Sequence, residues 1–449
     1  MMNLMKNETR RDWQKSIRDR IQTWNRWLRP GLGVKRWVGI ILLGATFLAI
    51  GFALFILDIY RKSPDVWWLP LISFASLKSL PRLVRVLVFG VIGLGTLLWG
   101  IIGLNRSLLT PYLRPGYSIV DTLEKHRLRK TGPKIVAIGG GNGLATLLRG
   151  LKEYSHNIYA VVTVADDGGS SGRLRETMGV LPPGDIRNCL AALSDNEDLL
   201  TQLFQYRFAN GGSGLDGHSF GNLFLSSLAE ITGSFEEAIA ESGRVLAVSG
   251  RVYPATLENV RLGADIKSAD SKRVIRVEGE SKIPKTPGEI QRVWLMPDSP
   301  SAFPRSIRAI LSADLIVIGP GSLYTSILPN LLVKDISAAI RASQALKIYV
   351  CNVATQAGET ENFSCGDHAQ VIDDHVGSDL FDIVLANNAT LAVSKKNFQW
   401  VKADAELSTQ YLIHLADLID EEHPWRHSSQ KLAQTLIALL QERTGPLTL

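Results

Sequence analysis

The stretch that decides the fold is Lys134-Ile-Val-Ala-Ile-Gly-Gly-Gly-Asn-Gly-Leu-Ala-Thr-Leu-Leu-Arg-Gly-Leu151. Four apolar residues, Ile135 to Ile138, run into a glycine turn, and leucines then recur at the spacing of a helix. This order of strand, glycine turn and helix aims backbone N–H groups and a helix N-terminus at an anion such as a phosphate. The motif G-x-G-x-x-G would have its last glycine at position 144, where this chain has Leu144. The alternative is therefore a tight strand–helix turn that binds no ligand.

Composition argues against two classes of protein. The net charge of the 449 residues is +6, yet residues 132–449 hold 28 basic and 36 acidic residues. A nucleic-acid enzyme is expected to carry its positive charge on the folded domain, so we expect no nucleic-acid partner. The three cysteines, Cys189, Cys351 and Cys365, form no C-x-x-C pair, which argues against a disulfide scaffold or a zinc module.

Two uncharged stretches near the N-terminus, residues 37–57 and 86–104, are long enough to cross a bilayer as helices. The flanks outside this pair hold sixteen Lys and Arg residues and the connecting loop holds five, so both ends are expected to face the cytoplasm. Tryptophans among the basic residues of 1–36 suit the headgroup region of an anionic leaflet. The alternative is a pair of buried helices in a soluble protein.

The chain is therefore predicted to have four parts. A basic cytoplasmic segment, a transmembrane hairpin, a linker and a nucleotide-binding domain occupy residues 1–36, 37–110, 111–131 and 132–449. We expect the hairpin to lie in the inner or plasma membrane and the large domain to lie in the cytoplasm.

From about residue 132 the pattern is typical of an α/β domain, with short apolar strands alternating with helical segments. The predicted strands are 135–138, 160–164, 315–318, 348–351 and 383–385. The predicted helices are 142–153, 185–207, 219–231, 235–247, 304–312, 332–345 and 428–442. Residues 260–266, 272–279 and 291–296 alternate like antiparallel strands. We expect a Rossmann-like, doubly wound, mostly parallel sheet with a small antiparallel insertion and a ligand at the carboxyl ends of its strands.

The second predicted strand ends in Val164-Ala-Asp-Asp-Gly-Gly-Ser-Ser-Gly-Arg173. An acid at this strand end is where a Rossmann-type fold meets a ribose hydroxyl. One aspartate could bind a sugar hydroxyl or a metal, while a loop of glycine and serine and an arginine hold phosphates. The alternative is an acidic turn with ordinary helix caps.

The stretch Leu181-Pro-Pro-Gly-Asp-Ile-Arg-Asn-Cys-Leu190 starts a helix. Asp185 either caps that helix or contacts the ligand, and the two readings are equally supported. Arg187 and Asn188 would project from its first turn toward the site.

Histidines occur at two predicted helices. In Gly217-His-Ser-Phe-Gly-Asn-Leu223, His218 lies at a helix start that suits anions, although a lone histidine is often structural. The chain has no second histidine at a ligand-like spacing from His218, so zinc is not expected there. His368 and His375 are expected on a solvated helix face.

A second apolar strand ends in glycines, in Asp314-Leu-Ile-Val-Ile-Gly-Pro-Gly-Ser-Leu-Tyr-Thr-Ser326. The strand after it ends in another polar stretch, Cys351 to Thr360, which contains Thr355. We expect the two glycine turns, 139–143 and 319–322, to converge on one anionic small molecule.

A glycine–lysine P-loop and a nucleophile elbow are missing from the sequence, so kinase and serine-hydrolase interpretations have no support. NAD-dependent oxidoreduction is a weaker alternative.

Taken together, five blocks resemble the YvcK/CofD-like family, and they cover residues 132 to 440. These are Ile138-Gly-Gly-Gly-Asn-Gly-Leu, Val164-Ala-Asp-Asp-Gly-Gly-Ser-Ser-Gly-Arg, Pro182-Pro-Gly-Asp-Ile-Arg-Asn, Gly217-His-Ser-Phe-Gly-Asn-Leu and Gly319-Pro-Gly-Ser-Leu-Tyr-Thr-Ser. The resemblance implies a Rossmann-like fold. One branch of the family transfers a phospholactyl group from a nucleotide diphosphate donor to a deazaflavin precursor, with magnesium. The other branch, the gluconeogenesis factors, is linked to cell shape and cell-wall metabolism and binds UDP-sugars. The first two blocks resemble the second branch more closely.

The resemblance implies a UDP-sugar-binding regulator of carbon flux, cell shape and cell-wall synthesis, here with an added membrane hairpin. In this interpretation the turn at 140–143 cradles the diphosphate, Asp166 takes a sugar hydroxyl or a metal, and Gly321 and Ser322 close over the other end. The alternative is a 2-phospho-L-lactate transferase-like enzyme in which Asp166 and Asp167 hold Mg²⁺ as catalytic residues. A homo-oligomer is left open. The predicted ligand-binding residues are Gly140, Gly141, Asn142, Gly143, Asp166, Gly169, Ser170, Ser171, Arg173, Arg187, Asn188, His218, Asn222, Gly319, Gly321, Ser322 and Thr355.

Overall fold

A computed structural model describes the large C-terminal part of the chain and isolated helical positions between Ala45 and Trp99. The described ranges are 132–194, 202–209, 214–268, 273–389, 399–403 and 411–444. The chain divides into two compact units, Met1–Arg127 and Leu128–Leu449. Most of the predicted segments 1–36, 37–57, 86–104 and 111–131 lies outside the described residues. Within the part that is described, no helix has the length and apolar character needed to cross a membrane.

The second unit is built on a seven-stranded sheet in which every strand pair is parallel. Its strands are β1 (Ile135–Gly139), β2 (Ile158–Val162), β3 (Arg251–Pro254), β7 (Leu315–Ile318), β8 (Leu346–Val350), β9 (Ile383–Asn387) and β10 (Leu412–Ala416). The order across the sheet is β10-β9-β8-β7-β1-β2-β3. The chain order therefore reverses between β1 and β7, which is the position where doubly wound sheets bind their ligands.

Helices connect these strands. They are α1 (Gly141–Leu151), α2 (Gly169–Met178), α3 (Gly184–Leu193), α4 (Phe220–Thr232), α5 (Phe235–Val245), α6 (Pro304–Leu311), α7 (Leu328–Leu331), α8 (Lys334–Ala342), α9 (Cys365–Val376) and α10 (Ser429–Thr444). A single π-helical turn, Leu323–Ile327, precedes α7.

The centre of the sheet is apolar because its middle strands are covered on both faces. All five residues of β1 and all four of β7 are buried, as expected for a parallel sheet between helices. Ile138 at the end of β1 pairs with Ile318 at the end of β7, so both strands deliver their glycine turns to the same edge. On α1, Leu144, Leu147, Leu148 and Leu151 are fully buried, which confirms the helical spacing of these leucines.

The C-terminal helix α10 packs against α1. At Gly150 of α1 the two backbones are so close that a Cβ would lie 2.0 Å from Ser429 O. Only glycine permits this approach. The contact brings the segment just before α10, Trp425 to His427, to the same end of the sheet as the glycine turns.

The predicted antiparallel insertion is a three-stranded sheet in the order β5-β4-β6, with β4 (Arg261–Lys267), β5 (Val274–Glu278) and β6 (Glu289–Met296). A 3₁₀ helix, Glu280–Lys285, connects β5 to β6. The insertion packs against α9, where His375 Nε2 accepts a hydrogen bond of 3.0 Å from Val293 N. The expected solvated face of α9 was therefore wrong, and His368 on the same helix is fully buried.

Several element boundaries differ from the sequence-based prediction. The helix predicted over 185–207 ends at Leu193, because Ser194 turns to extended backbone and its Oγ donates to Leu246 O at 2.8 Å. The expected loop of glycine and serine after Asp167 is the start of α2. Strands β3 and β10, at the two edges of the sheet, were not predicted. β3 is only four residues long, Arg-Val-Tyr-Pro, whereas β10 is mostly apolar, Leu-Ile-His-Leu-Ala, and its pattern was overlooked.

Candidate functional site

A cavity of about 680 Å³ opens at the carboxyl ends of β1 and β7. Both glycine turns line it, which confirms that the two turns lie side by side at one end of the sheet. The cavity therefore occupies the switch point of the sheet, where an open α/β fold offers its ligand crevice.

The first turn is shaped by one close backbone approach and by one glycine in a left-handed conformation. A Cβ on Gly143 would lie 2.5 Å from Pro320 O, so the two turns could not touch with any larger residue there. Gly141 adopts a φ of 62°, a left-handed conformation that favours glycine. Helix α1 begins at Gly141, whose N–H donates to the Asp185 carboxylate, and the preceding Gly140 offers no side-chain cap. The other N–H groups of the first turn are therefore placed to receive an anion.

Two asparagines hold the second turn in place. Asn352 Nδ2 donates to Gly321 O at 2.8 Å, and Gly321 N donates to Asn352 Oδ1 at 3.3 Å. Asn330 Nδ2 donates to Gly139 O at 2.9 Å and to Ser326 O at 2.7 Å, which ties the two turns together. These amides add side-chain hydrogen bonds to backbone groups at both turns, so the protein itself holds the turns in place.

An acidic wall, formed by Asp166, Asp185 and Glu280, lines one side of the cavity. Burial, together with the neighbouring Asp166 charge, raises the pKa of Asp185 to about 6, although hydrogen bonding from Gly141 N–H and the charge of Arg187 act in the opposite direction. Burial and the charges of Asp166 and Asp185 raise the pKa of Glu280 to about 8. Burial also raises the pKa of Asp166, although Gly168 N donates to its Oδ1 at 2.8 Å. The three carboxyl groups therefore share one electrostatic environment.

The acidic wall combines three parts of the fold. Asp166 follows β2, Asp185 lies in the first turn of α3, and Glu280 comes from the insertion. Asp167 helps to position Glu280, because its Oδ1 accepts a hydrogen bond of 2.8 Å from the backbone N of the next residue, Ser281. Asp167 thus holds the 3₁₀ helix and does not line the cavity. Its predicted role as a second metal-holding aspartate stays a prediction.

The wall suits a Mg²⁺ ion that is held jointly with a ligand. Magnesium is commonly bound by one or two carboxylates together with substrate phosphates, and Asp166 and Asp185 offer such oxygen donors at the glycine turns. Among the described residues, no three His, Cys, Asp or Glu side chains form a metal-binding group.

The predicted site residues fall into two groups in the structure. Those lining the cavity are Gly140, Gly141, Asn142, Gly143, Asp166, Gly321, Ser322 and Thr355. Those that do not line it are Asp167, Gly169, Ser170, Ser171, Arg173, Arg187, Asn188, His218, Asn222 and Gly319. Most of the second group forms a hydrogen-bonded layer behind the acidic wall, on α2, α3 and the start of α4.

In this layer His218 joins α2 to α4. Its Nδ1 lies 3.1 Å from Ser170 Oγ, and its Nε2 accepts from Arg173 Nε at 3.3 Å. Asn222 Nδ2 donates to Ser170 Oγ at 3.0 Å. Because Arg173 occupies Nε2, the ring donates to the serine through Nδ1 and cannot take its proton. The pair is therefore no serine nucleophile with a general base.

Arg187 supports the acidic wall from behind. Its guanidinium is buried and donates to Ser219 Oγ and, at 2.9 Å, to Asn188 Oδ1. Burial and the charge of Arg207 lower its pKa to about 10, while Asp185 and Asp166 act in the opposite direction. The arginine remains a cation and lowers the pKa values of the two aspartates.

Sequence reasoning missed much of the cavity lining. Asp185, for which a helix cap and a ligand contact were left equally open, lines the cavity. The lining residues that sequence reasoning did not assign are Thr146, Arg149, Thr163, Glu280, Pro320, Thr325, Ser326, Asn352, Val353, Ala354, Gln356, Trp425, Arg426 and His427. For Asn352 and Gln356 a signal existed, because they follow the end of a predicted strand. Thr146 and Arg149 were detectable too, since they lie on one face of the helix after the glycine turn. For Trp425 to His427 the sequence offered no such signal, because only the packing of α10 on α1 brings these residues to the cavity.

Three comparisons place this geometry among known proteins. Residues 135–419 match the family described as 2-phospho-L-lactate transferase CofD. A Nostoc protein described as "Putative gluconeogenesis factor" is 49% identical over 434 residues, which is 93% of each chain. The gluconeogenesis factor of Bacillus subtilis is 45% identical over 319 residues, 69% of this chain and 99% of its own length.

A solved structure shares the fold. The crystal structure of a UPF0052 family member from Bacillus halodurans is 43% identical and has a TM-score of 0.63. It covers 68% of this chain and 99% of its own. Both the Bacillus subtilis protein and this structure are matched over 99% of their own length by about two thirds of this chain.

Proposed function

Because this chain belongs to the YvcK/CofD-like family, among the relatives described as gluconeogenesis factors, we propose that it is a regulator that binds a nucleotide sugar of the UDP type. The observation that carries the proposal is the pairing of the two glycine turns at the cavity, where Gly143 approaches Pro320 too closely for any side chain. Such a paired backbone surface, next to the N-terminus of α1, suits a diphosphate.

The ligand would lie across the switch point of the sheet. Gly140, Gly141 and Gly143 would cradle the diphosphate, and Gly321 and Ser322 would close over it from the second turn. Asp166 would take a sugar hydroxyl, or would hold Mg²⁺ together with the diphosphate. Arg149, which lines the same cavity, adds a positive charge near the phosphates.

The regulatory part of the proposal concerns carbon flux, cell shape and cell-wall synthesis. The relatives described as gluconeogenesis factors support the part on carbon flux, and the part on cell shape and cell-wall synthesis comes from the family resemblance of the five sequence blocks. A binding protein whose ligand is a cell-wall precursor would link carbon supply to envelope synthesis. A deletion strain is expected to lose normal shape on gluconeogenic carbon sources and to recover it when this chain is restored.

Membrane tethering is a separate element of the proposal. Residues 37–57 and 86–104 carry no charged residue over 21 and 19 positions, and basic residues flank the pair. We expect the chain to sediment with membranes and to resist extraction by high salt and carbonate. Recovery of the full-length chain in the salt wash would contradict the hairpin.

Calorimetric titration with UDP-N-acetylglucosamine tests the ligand. The full-length chain in detergent and a fragment spanning 128–449 would both be used, since residues 128–449 form one compact unit. We expect saturable binding with one site per chain in both. Absence of heat at millimolar ligand in both samples would remove the proposal.

The acidic wall favours a second candidate, a phospholactate-type transferase. In this reaction a hydroxyl oxygen of the acceptor forms a bond to the phosphorus that carries the lactyl group. The bond from that phosphorus to the bridging oxygen breaks, and a nucleoside monophosphate leaves. The acceptor proton passes to a carboxylate of the wall or to water, while Mg²⁺ neutralises the phosphate charges when bound. Metal-dependent release of nucleoside monophosphate with a deazaflavin acceptor, and its loss in Asp166→Asn, would support this candidate.

A further inference from the structure

The small antiparallel sheet of the insertion has an open edge. Strand β5 lies at the end of the order β5-β4-β6, and among the described residues it pairs with β4 alone. Four of its five residues are exposed, including Val274 at 61% and Ile275 at 43%. An exposed strand whose edge is unpaired is a template for pairing with another strand.

The register of β4 and β5 shows which backbone groups are open. Gly279 N donates to Leu262 O at 2.8 Å, and Ser268 N donates to Arg273 O at 2.9 Å. In an antiparallel ladder such hydrogen-bonded pairs alternate with pairs whose N–H and C=O groups point away from each other. Since the register runs without a shift along β5, the odd-numbered residues from 273 to 279 bond to β4. The N–H and C=O groups of the even-numbered residues, 274, 276 and 278, therefore point to the open edge.

The side chains of β5 alternate between two faces of the sheet. Val277 stands opposite the fully buried Ala264 of β4 and shares its inner face. Arg276 and Glu278 lie on the outer face, and Arg276 stands opposite Asp265. The Arg276 side chain is 69% exposed, although its Nε donates to Asp265 Oδ1 at 3.3 Å. The open edge thus carries a cation and an anion two residues apart.

This pattern is complementary to itself in an antiparallel copy. When Val277 stands opposite Val277 of a second copy, Arg276 of each strand stands opposite Glu278 of the other. These two residues also have the open backbone groups, so each pair exchanges both of its backbone hydrogen bonds. A register centred on Arg276 would set two arginines opposite each other, and one centred on Glu278 would set two glutamates opposite each other. Like charges in these positions are destabilising, so charge selects the register centred on Val277.

We propose that the chain forms a two-fold symmetric homodimer in which β5 pairs antiparallel with β5 of a second copy about Val277. The two three-stranded insertions then form one continuous sheet. A two-fold contact of this kind is the commonest way in which soluble proteins form oligomers. Charges on an edge strand discourage pairing with unrelated strands, whereas these two charges favour a second copy. Because Glu280 of the cavity wall lies two residues beyond β5, the interface lies beside the ligand site of each protomer.

Charge reversal tests the pairing. The wild-type full-length chain in detergent is expected to have the protein mass of a dimer by light scattering. Glu278→Arg sets an arginine opposite Arg276, and Arg276→Glu sets a glutamate opposite Glu278. Each variant alone should dimerise at least about tenfold more weakly, because two attractive pairs become repulsive. An equal mixture of the two variants should form a dimer again, since opposite charges then face each other at both pairs.

The matched controls lie on β6, the other edge of the same sheet. Arg292→Glu and Glu289→Arg reverse exposed charges there and should leave the dimer intact. Thermal unfolding shows that each variant is folded. A monomeric wild type, a dimer that persists in both β5 variants, or a dimer lost in the β6 variants would overturn the inference. Each of these results would leave the proposed function standing, because ligand binding does not require the pairing.

A cysteine at the centre of the contact tests the register without a change of charge. Oxidation with copper phenanthroline should link Val277→Cys into a covalent dimer, because opposite residues of a non-hydrogen-bonded pair are close enough for a disulfide. The control is Val274→Cys, since position 274 would lie about 20 Å along the strands from its counterpart. The three native cysteines are buried and should not react. Equal cross-linking at both positions, or none at position 277, would overturn the inference even if a charge variant failed to fold.

Discussion

The carboxylate of Asp185 lies directly over the backbone of Gly140, so that a Cβ at position 140 would come 2.5 Å from Asp185 Oδ2. Asp185 also accepts a hydrogen bond from Gly141 N–H. The acid at the start of α3 and the glycine turn after β1 are thus one structural unit. The width of the cavity at this point is set by the missing side chain of residue 140.

Gly140→Ala is expected to reduce nucleotide affinity at least tenfold. The new methyl group would push the Asp185 carboxylate into the space of the ligand, at a stability cost of about 1–2 kcal/mol because a side chain can move aside. Calorimetry and thermal unfolding measure the two effects. The matched control is Gly139→Ala, where the nearest atom to a Cβ is 3.8 Å away. Equal affinity of the two variants would contradict the prediction.

Gly143→Ala is expected to destabilise the protein more than Gly140→Ala does. Its Cβ would meet Pro320 O at 2.5 Å and Gly321 Cα at 3.0 Å, and both are backbone atoms that cannot rotate away. We expect a loss of about 2–3 kcal/mol in the free energy of unfolding, measured by chemical denaturation, and loss of nucleotide binding. A variant as stable as wild type would show that the two turns can separate freely.

Glu280 should make the free energy of unfolding depend on pH. Its pKa in the folded chain is raised to about 8, above the ordinary value of 4.5, by burial and by the other acids of the wall. The stability associated with Glu280 is fully present below about pH 4.5 and is lost as the pH rises through 8, since the folded state holds the proton longer. Chemical denaturation between pH 5 and 8 should show a shallower decline for Glu280→Gln than for wild type. Parallel curves would mean that Glu280 does not titrate in this range.

Asn330 is expected to couple stability to ligand binding, because its amide joins Gly139 O and Ser326 O. Asn330→Ala should cost about 1–3 kcal/mol of unfolding free energy and weaken nucleotide binding, since the two turns lose their tie. The control is Asn157→Ala, which removes a comparable 2.8 Å bond to Gly132 O before the amino end of β1. That variant should lose stability and keep its affinity. A loss of affinity in both variants would indicate general destabilisation instead.

Part of the site was open to prediction because it is local in sequence. The apolar run at 135–138 and the glycines that follow specify a strand and a turn whatever surrounds them, since few other conformations suit those residues. The same holds for 315–322. Because parallel strands end at one edge of a sheet, the meeting of these turns followed from the fold class, and the pairing of Ile138 with Ile318 confirms it.

Other parts of the site depend on contacts between distant segments. Asp166 was predicted from its strand end, but its neighbours Asp185 and Glu280 reach the cavity through α3 and the insertion. The serines and the histidine that looked like phosphate ligands lie behind the acidic wall, because α2 starts at Gly169 where a loop was expected. A helix made largely of polar residues has little hydrophobic periodicity, so the sequence pattern did not reveal α2.

The sequence by itself determined the α/β class, the two glycine turns and their common edge, since each rests on local backbone preference and on hydrophobic period. Only the tertiary structure decided which polar residues line the cavity. The segment Trp425 to His427 lies there because α10 packs on α1 at Gly150. Burial and charge at such a position come from chain segments far apart in sequence, and no local pattern encodes them.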